Sequence, residues 1–174
     1  MGRYDFFESL QQLSTRKLHT TIQNYLHELE YTQKNQNSND YILLGATRMA
    51  YILGLIDKTT ASHYHRDSHY KVTINYDVSE YMYWDEYCEK HFKIVPLPIT
   101  EIKTLPATKA KEMTETYILS LLDIMGKYDT SENLYYVIDG VTGFAVFLKL
   151  FDYNEMAKYC AKAYVKDGTN FKNY

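Results

Sequence analysis

The amino-acid sequence predicts an α+β fold: a helical N-terminal part, then a small antiparallel sheet with a C-terminal β-hairpin, packed by three helices. Three observations carry this expectation. Apolar residues in the first third recur at helical spacing. The period drops to two in "YKVTINYDV", residues 70–78. In "NLYYVIDGVTGFAVFLKL", residues 133–150, an Asp-Gly pair stands between two runs rich in β-formers. Helices and strands do not alternate regularly, so α+β fits better than a parallel doubly wound sheet.

Phe6, Leu10, Leu13, Leu18, Ile22, Leu26 and Leu29 predict a long helix or a broken pair over about 4–33, interrupted near Ser14–Thr15. "QKNQNSND" is a polar loop ending in a capping residue. A second helix is expected over 40–54 with Ile42, Leu43, Met49, Ala50, Ile52 and Leu53 inward, ended by Gly54. Asp57 caps a short third helix over 58–66, so helix, "GLID", helix reads as a tight αα-hairpin.

Val72, Ile74 and Tyr76 then form one face of a strand. Asp77 and Glu80 have capping-box spacing and open a helix over 78–92. "KIVPLPITEIKTLP" holds all three prolines and reads as an extended connector with an edge strand at 99–103. It is the one sub-boundary candidate, at 94–106, in a chain otherwise expected to be a single domain over 1–174. A helix over 107–128 follows, with Met113, Tyr117, Leu121, Ile124 and Met125 on its apolar side. Asp139-Gly140 makes a type I′ hairpin turn, because both turn positions need positive φ. Asp152 and Glu155 repeat the capping-box spacing and open a last helix over 153–166, ended by Gly168.

Composition narrows function by exclusion. Hydrophobic content of 45% and charge content of 24% are ordinary globular values, so disorder is not the default. A net charge of −3 with interspersed signs argues against an extended phosphate-tracking surface. No apolar run reaches about 18 residues and no signal-peptide pattern opens the chain. The expectation is a cytoplasmic protein with free thiols and no membrane contact. The 19 tyrosines and the excess of lysine over arginine match AT-rich coding, which points to a bacterium, a phage or a mobile element. In the phage case the host cytoplasm is the expected location.

The leading functional expectation is a non-enzymatic regulator or inhibitor that binds another protein. A phage or mobile-element protein that occludes a host protein is its most concrete form, an anti-defence inhibitor being one example. The stretch "YMYWDEYCEKHF", residues 81–92, motivates it. On a helix, Tyr81, Trp84, Cys88 and Phe92 share one side, enough to dock on a sheet. Tyr83 and Tyr87 lie on another side among Asp85, Glu86, Glu89 and Lys90. Tyrosine offers rigid contact area with a polar tip, so Tyr81, Tyr83, Glu86 and Tyr87 are the expected partner-binding face. Such a surface also suits a homodimer.

The alternative is a helix-turn-helix-like DNA-binding regulator using 48–66, with Lys58, Thr59, Ser62, His63 and Arg66 contacting phosphates or bases. Against it, the position that normally plugs the third helix into the core falls near Thr60. An unrecognised hydrolase is the second alternative. Cys88, His91 and Asp85 lie within two turns of one helix, but no oxyanion hole is visible. "SHYHRDSH", residues 62–69, places His65 and His69 four apart without the third and fourth ligands zinc needs. "DGVTG" at 139–143 lacks the GxxxxGK of a phosphate loop. No metal, no cofactor and no catalytic residue is therefore expected.

Overall fold

A computed structural model describes residues 2–32, 37–64, 89–90, 92–127 and 133–171. All regular structure among them is helical, and no strand is present among the described residues. The α+β expectation, with its sheet and hairpin, is overturned. The strand at 72–76 and most of the helix at 78–92 lie outside the described residues.

The N-terminal part matches its periodicity. Helix α1, Asp5–Gln12, buries Phe7 and Leu10. Helix α2, Thr15–Thr32, buries Leu18, Ile22 and Leu26. The break falls where expected: the Ser14 hydroxyl accepts from the Lys17 backbone N–H at 3.3 Å and caps α2. Helix α3, Asn37–Ile52, ends in a Schellman motif. The Gly54 N–H donates to the Tyr51 carbonyl and the Leu55 N–H to the Ala50 carbonyl, with Gly54 at φ +75°. Asp57 Oδ1 accepts from the Thr60 N–H at 2.8 Å and starts α4, helical over 58–64, whose Ala61 and Tyr64 face inward.

The proline connector is not an edge strand. Residues Ile99–Thr104 form a 3-10 helix. The Gln11 side chain donates to the carbonyls of Ile102 and Leu105 at 2.7 and 2.6 Å, which satisfies the end of that short helix. The Leu97 N–H donates to the Ile52 carbonyl, so the connector lies against the end of α3. Helix α5, Ala107–Lys127, then buries Ala110, Tyr117, Ile118, Leu121, Leu122, Ile124 and Met125.

The expected hairpin is instead one continuous helix, α6, Leu134–Phe147. Its Val, Ile and Phe content reads as strand in isolation, but a helix apolar on nearly every side belongs in a core. Leu134, Val137, Ile138, Val141, Phe144 and Ala145 are all buried. Gly140 serves a close helix approach, not a turn. A Cβ on Gly140 would overlap the Ile42 carbonyl oxygen of α3, and a Cβ on Gly45 would overlap the Val137 carbonyl oxygen of α6. The two glycines thus let the α3 and α6 backbones touch, and this is the most extensive helix pairing among the described residues. Thr142, fully buried on α6, donates its hydroxyl back to the Ile138 carbonyl at 2.9 Å.

Helix α7, Tyr153–Phe171, opens with the capping box read from the sequence. The Glu155 N–H donates to Asp152 Oδ1 at 2.8 Å, and the Asp152 N–H to Glu155 Oε1 at 3.1 Å. Glu155 also pairs with Arg3 and Lys111. The helix continues through Gly168, which does not end it. Three contacts with a constant offset, Lys111–Glu155, Glu115–Tyr159 and Leu122–Lys166, set α5 and α7 parallel. Helix α6 runs back between them. One contiguous apolar cluster joins all these helices.

Candidate functional site

The two C-terminal helices leave an unusual surface. On α7, Tyr159 and Ala163 point into the core. The opposite side carries Tyr153, Ala157, Ala161, Tyr164 and Val165, spaced as a helical stripe with no charge in it. Tyr153 is 76% exposed, Tyr164 68% and Val165 66%. The charged residues beside the stripe, Lys158 and Lys162, lean over the Tyr159 ring at 5.5 Å each.

The stripe continues onto α6. Tyr135, Tyr136, Asp139 and Gly143 are half-buried along one face of that helix. Tyr135 meets Tyr136 edge-on at 5.2 Å and Tyr164 at 6.3 Å, so the rings form a strip across the α6–α7 seam. One turn below Tyr135 lies the Asp139 carboxyl. Cys160 of α7 approaches it, with Sγ 3.7 Å from Oδ1 and 3.5 Å from the Thr142 hydroxyl. On the other side stands α2. Its Tyr25 ring stacks on Phe147 at 4.4 Å, and its hydroxyl lies 3.8 Å from where a Gly143 Cβ would be.

The electrostatics follow from burial. Burial raises the Asp139 pKa above the usual carboxylate value, against the opposing hydrogen bond from Cys160. Burial likewise raises the Cys160 thiol, the Asp139 charge adding to it. Tyr25 is pushed up to about 12, first by burial and then by Asp139. A thiol held protonated beside an acid is the reverse of an activated cysteine, so this cluster does not assemble a nucleophile. Among the described residues no cationic side chain pairs with Asp139. Glu155 and Glu115 differ: Glu155 holds Arg3 and Lys111, and Glu115 accepts from the Tyr159 hydroxyl at 2.6 Å.

A second concavity of about 350 Å³ lies between residues 92–97 and α5. Phe92, Ile94, Val95, Leu97 and Met113 line it, and Lys109 pairs with Glu112 at 3.5 Å on its rim. Lys93 and Thr116 line it as well. No three His, Cys, Asp or Glu side chains converge on a metal position among the described residues. No helix among them is long and apolar enough to cross a membrane.

Tyr81, Tyr83, Glu86 and Tyr87, the face expected from the sequence, lie outside the described residues, as do Asp85, Cys88 and His91. Lys58, Thr59, Ser62 and His63 are brought together on the outward side of α4. Arg66 lies outside the described residues. The inward plug of α4 is Ala61 with Tyr64, not Thr60. Sequence reasoning missed Asp139, which it spent on a turn, and the α7 stripe. The available signals were a lone acid inside an apolar run and the spacing Tyr153, Ala157, Ala161, Tyr164. Comparison with protein-family models, with curated proteins and with solved structures finds no match.

Proposed function

We propose that the protein is a binding module that docks another protein on the tyrosine face of α6 and α7. The observation that carries this is the exposed, uncharged stripe of Tyr153, Ala157, Ala161, Tyr164 and Val165, continuous with Tyr135 and Tyr136. Charge depletion at the centre with aromatic enrichment is the composition of an interface core. The small alanines between the tyrosines let a partner helix approach closely. A regulatory or inhibitory role by occlusion fits such a surface, since the neighbouring thiol and carboxyl form no reactive pair.

The test is capture from a host lysate by wild type and by Tyr153→Ser/Tyr164→Ser. Both positions are exposed, so the variant is expected to melt as wild type does. Wild type is expected to retain a discrete protein that the variant loses. Identical retained proteins would overturn the assignment of this face. Sedimentation of both proteins at the same concentrations shows whether the captured partner is a second copy.

A second reading, DNA contact through α4, draws support from the shared exposure of Lys58, Thr59, Ser62 and His63. It predicts retention on DNA that falls steeply with salt. Indifference to DNA at low salt removes it.

A further inference from the structure

We infer that the partner docked on α7 presents an acidic amphipathic helix, with carboxylates seated beside Lys158 and Lys162 and an apolar side laid along the tyrosine and alanine stripe. The inference rests on the docking reading above and names the chemistry of the partner.

The sign of the face carries it. Every α7 residue from Tyr153 to Val165 is described, and the only charged ones among those exposed are Lys158 and Lys162. The one acid in that span, Glu155, is half-buried and bound to Arg3 and Lys111. Asp152, just before the span, is engaged with the Glu155 N–H in the capping box. The whole chain carries a net charge of −3, so a purely basic border is a local departure from its average. Both ammonium groups are held at the edge of the stripe, each 5.5 Å from the centre of the Tyr159 ring. Two like charges four residues apart on one helix repel each other, and a partner's carboxylates turn that repulsion into attraction.

The shape specifies a helix. Tyr153 and Tyr164 stand about three turns apart. Ala157 and Ala161 lie between them, one turn from each other, and leave a shallow notch where a second helix can seat a ridge. An extended peptide would need an open main-chain edge to pair with, and the middle of a helix has none. A lipid surface fits less well, because two alanines at the centre of the stripe insert little apolar area. A second copy fits less well too. In a two-fold antiparallel pair the same border meets its own copy, so lysine would oppose lysine.

The experiment is an amide-resolved NMR titration of the full chain with a synthetic amphipathic helix of about 18 residues, leucine and alanine on one side and glutamate on the other. The same peptide with lysine in place of every glutamate is the control. The net charge of the chain favours the control, so a preference for glutamate reports the local face. The glutamate peptide is expected to shift the amides of Ala157, Lys158, Ala161, Lys162 and Tyr164. It should bind about fivefold more tightly than the control at low salt, with the preference fading as salt rises. Lys158→Gln/Lys162→Gln is expected to remove the preference and Lys158→Glu/Lys162→Glu to reverse it. Both positions are exposed, so the amides of the other helices should stay in place in these variants. Equal affinities in wild type, tighter binding of the lysine peptide, no shift at these amides, or a preference that survives in Lys158→Gln/Lys162→Gln would each overturn the inference. So would binding to phosphatidylserine vesicles without any response to the glutamate peptide, or sedimentation as a dimer that Tyr153→Ser/Tyr164→Ser dissolves. The docking reading is judged separately, by partner capture. A captured partner that Tyr153→Ser/Tyr164→Ser loses and Lys158→Glu/Lys162→Glu keeps would leave the docking face standing and remove the acidic helix.

Discussion

Gly140 and Gly143 sit one turn apart on the same helix and face different worlds. At Gly140 the backbone of α3 is so close that a methyl group would overlap the Ile42 carbonyl oxygen. At Gly143 the nearest atom to such a methyl from another element among the described residues is the Tyr25 hydroxyl, at 3.8 Å, an ordinary contact. One side of α6 is therefore joined backbone to backbone with α3, and the other is left half-open, with Asp139 on it. The difference teaches that the two sides answer to separate demands. The closed side sets the fold. The open side carries residues that the fold alone does not need.

Substitution at the two glycines gives the largest expected contrast. Gly140→Ala should destabilise by about 3 kcal/mol or fail to fold, because the obstacle is main chain and cannot rotate away. Gly45→Ala should behave alike, since its Cβ would meet the Val137 carbonyl oxygen. Gly143→Ala should instead stabilise by about 0.5–1 kcal/mol, the ordinary gain of alanine over glycine inside a helix. Urea unfolding of the three variants checks this. Similar losses at 140 and 143 would mean that α6 is closed on both sides.

Much of the helical framework was legible because local signals and tertiary demands agreed. The break near Ser14, the cap at Asp57 and the capping box at Asp152 and Glu155 rest on side chains that bond their own backbone neighbours, and the stop at Gly54 rests on the positive φ that glycine allows. Such signals need no knowledge of the rest of the fold. The failures share the opposite property. Asp139-Gly140 has the composition of a hairpin turn, and its flanks have the composition of strands. What decides otherwise is Ile42, almost a hundred residues earlier, whose carbonyl needs a glycine opposite it. Residues 99–103 failed in a milder way: the 3-10 turn there is held by Gln11, again from far along the chain. The site was illegible for the same reason. Asp139, Tyr25 and Cys160 come from three helices, and nothing in their separate neighbourhoods points to the others.

Asp139 allows the open side to be tested by pH, with a smaller effect. Its carboxyl binds a proton more tightly in the folded chain than in the unfolded one, because burial raises it. The folded state therefore loses stability as pH rises from the unfolded value, about 3.9, through the higher folded value. Asp139→Asn has no such loss. The variant should be more stable than wild type by about 1 kcal/mol at neutral pH, the scale of one half-buried polar group without an adequate partner. The gain should shrink as pH falls and vanish below the unfolded value. Cys160 and Tyr25 are raised as well, but both titrate above neutrality and stay outside this window. A gain that does not vary with pH would mean that the carboxylate is answered in the folded chain.

The end of α6 supplies the smallest and most local test of the same contrast. Its C-terminus closes as that of α3 does. The Lys149 N–H donates to the Val146 carbonyl and the Leu150 N–H to the Ala145 carbonyl. Where α3 has Gly54 in the left-handed conformation, α6 has Lys149 at φ +62°. The neighbours explain why one position tolerates a side chain. A Cβ on Gly54 would lie 2.9 Å from the Pro98 carbonyl oxygen, whereas Lys149 is exposed and meets no such wall. Lys149 is thus strained in its backbone alone, by about 1 kcal/mol. Lys149→Gly should recover about 0.5–1 kcal/mol and raise the melting temperature by about 1–4 °C, without altering partner capture. A fall in melting temperature would show that the lysine side chain makes a stabilising contact larger than the strain it carries.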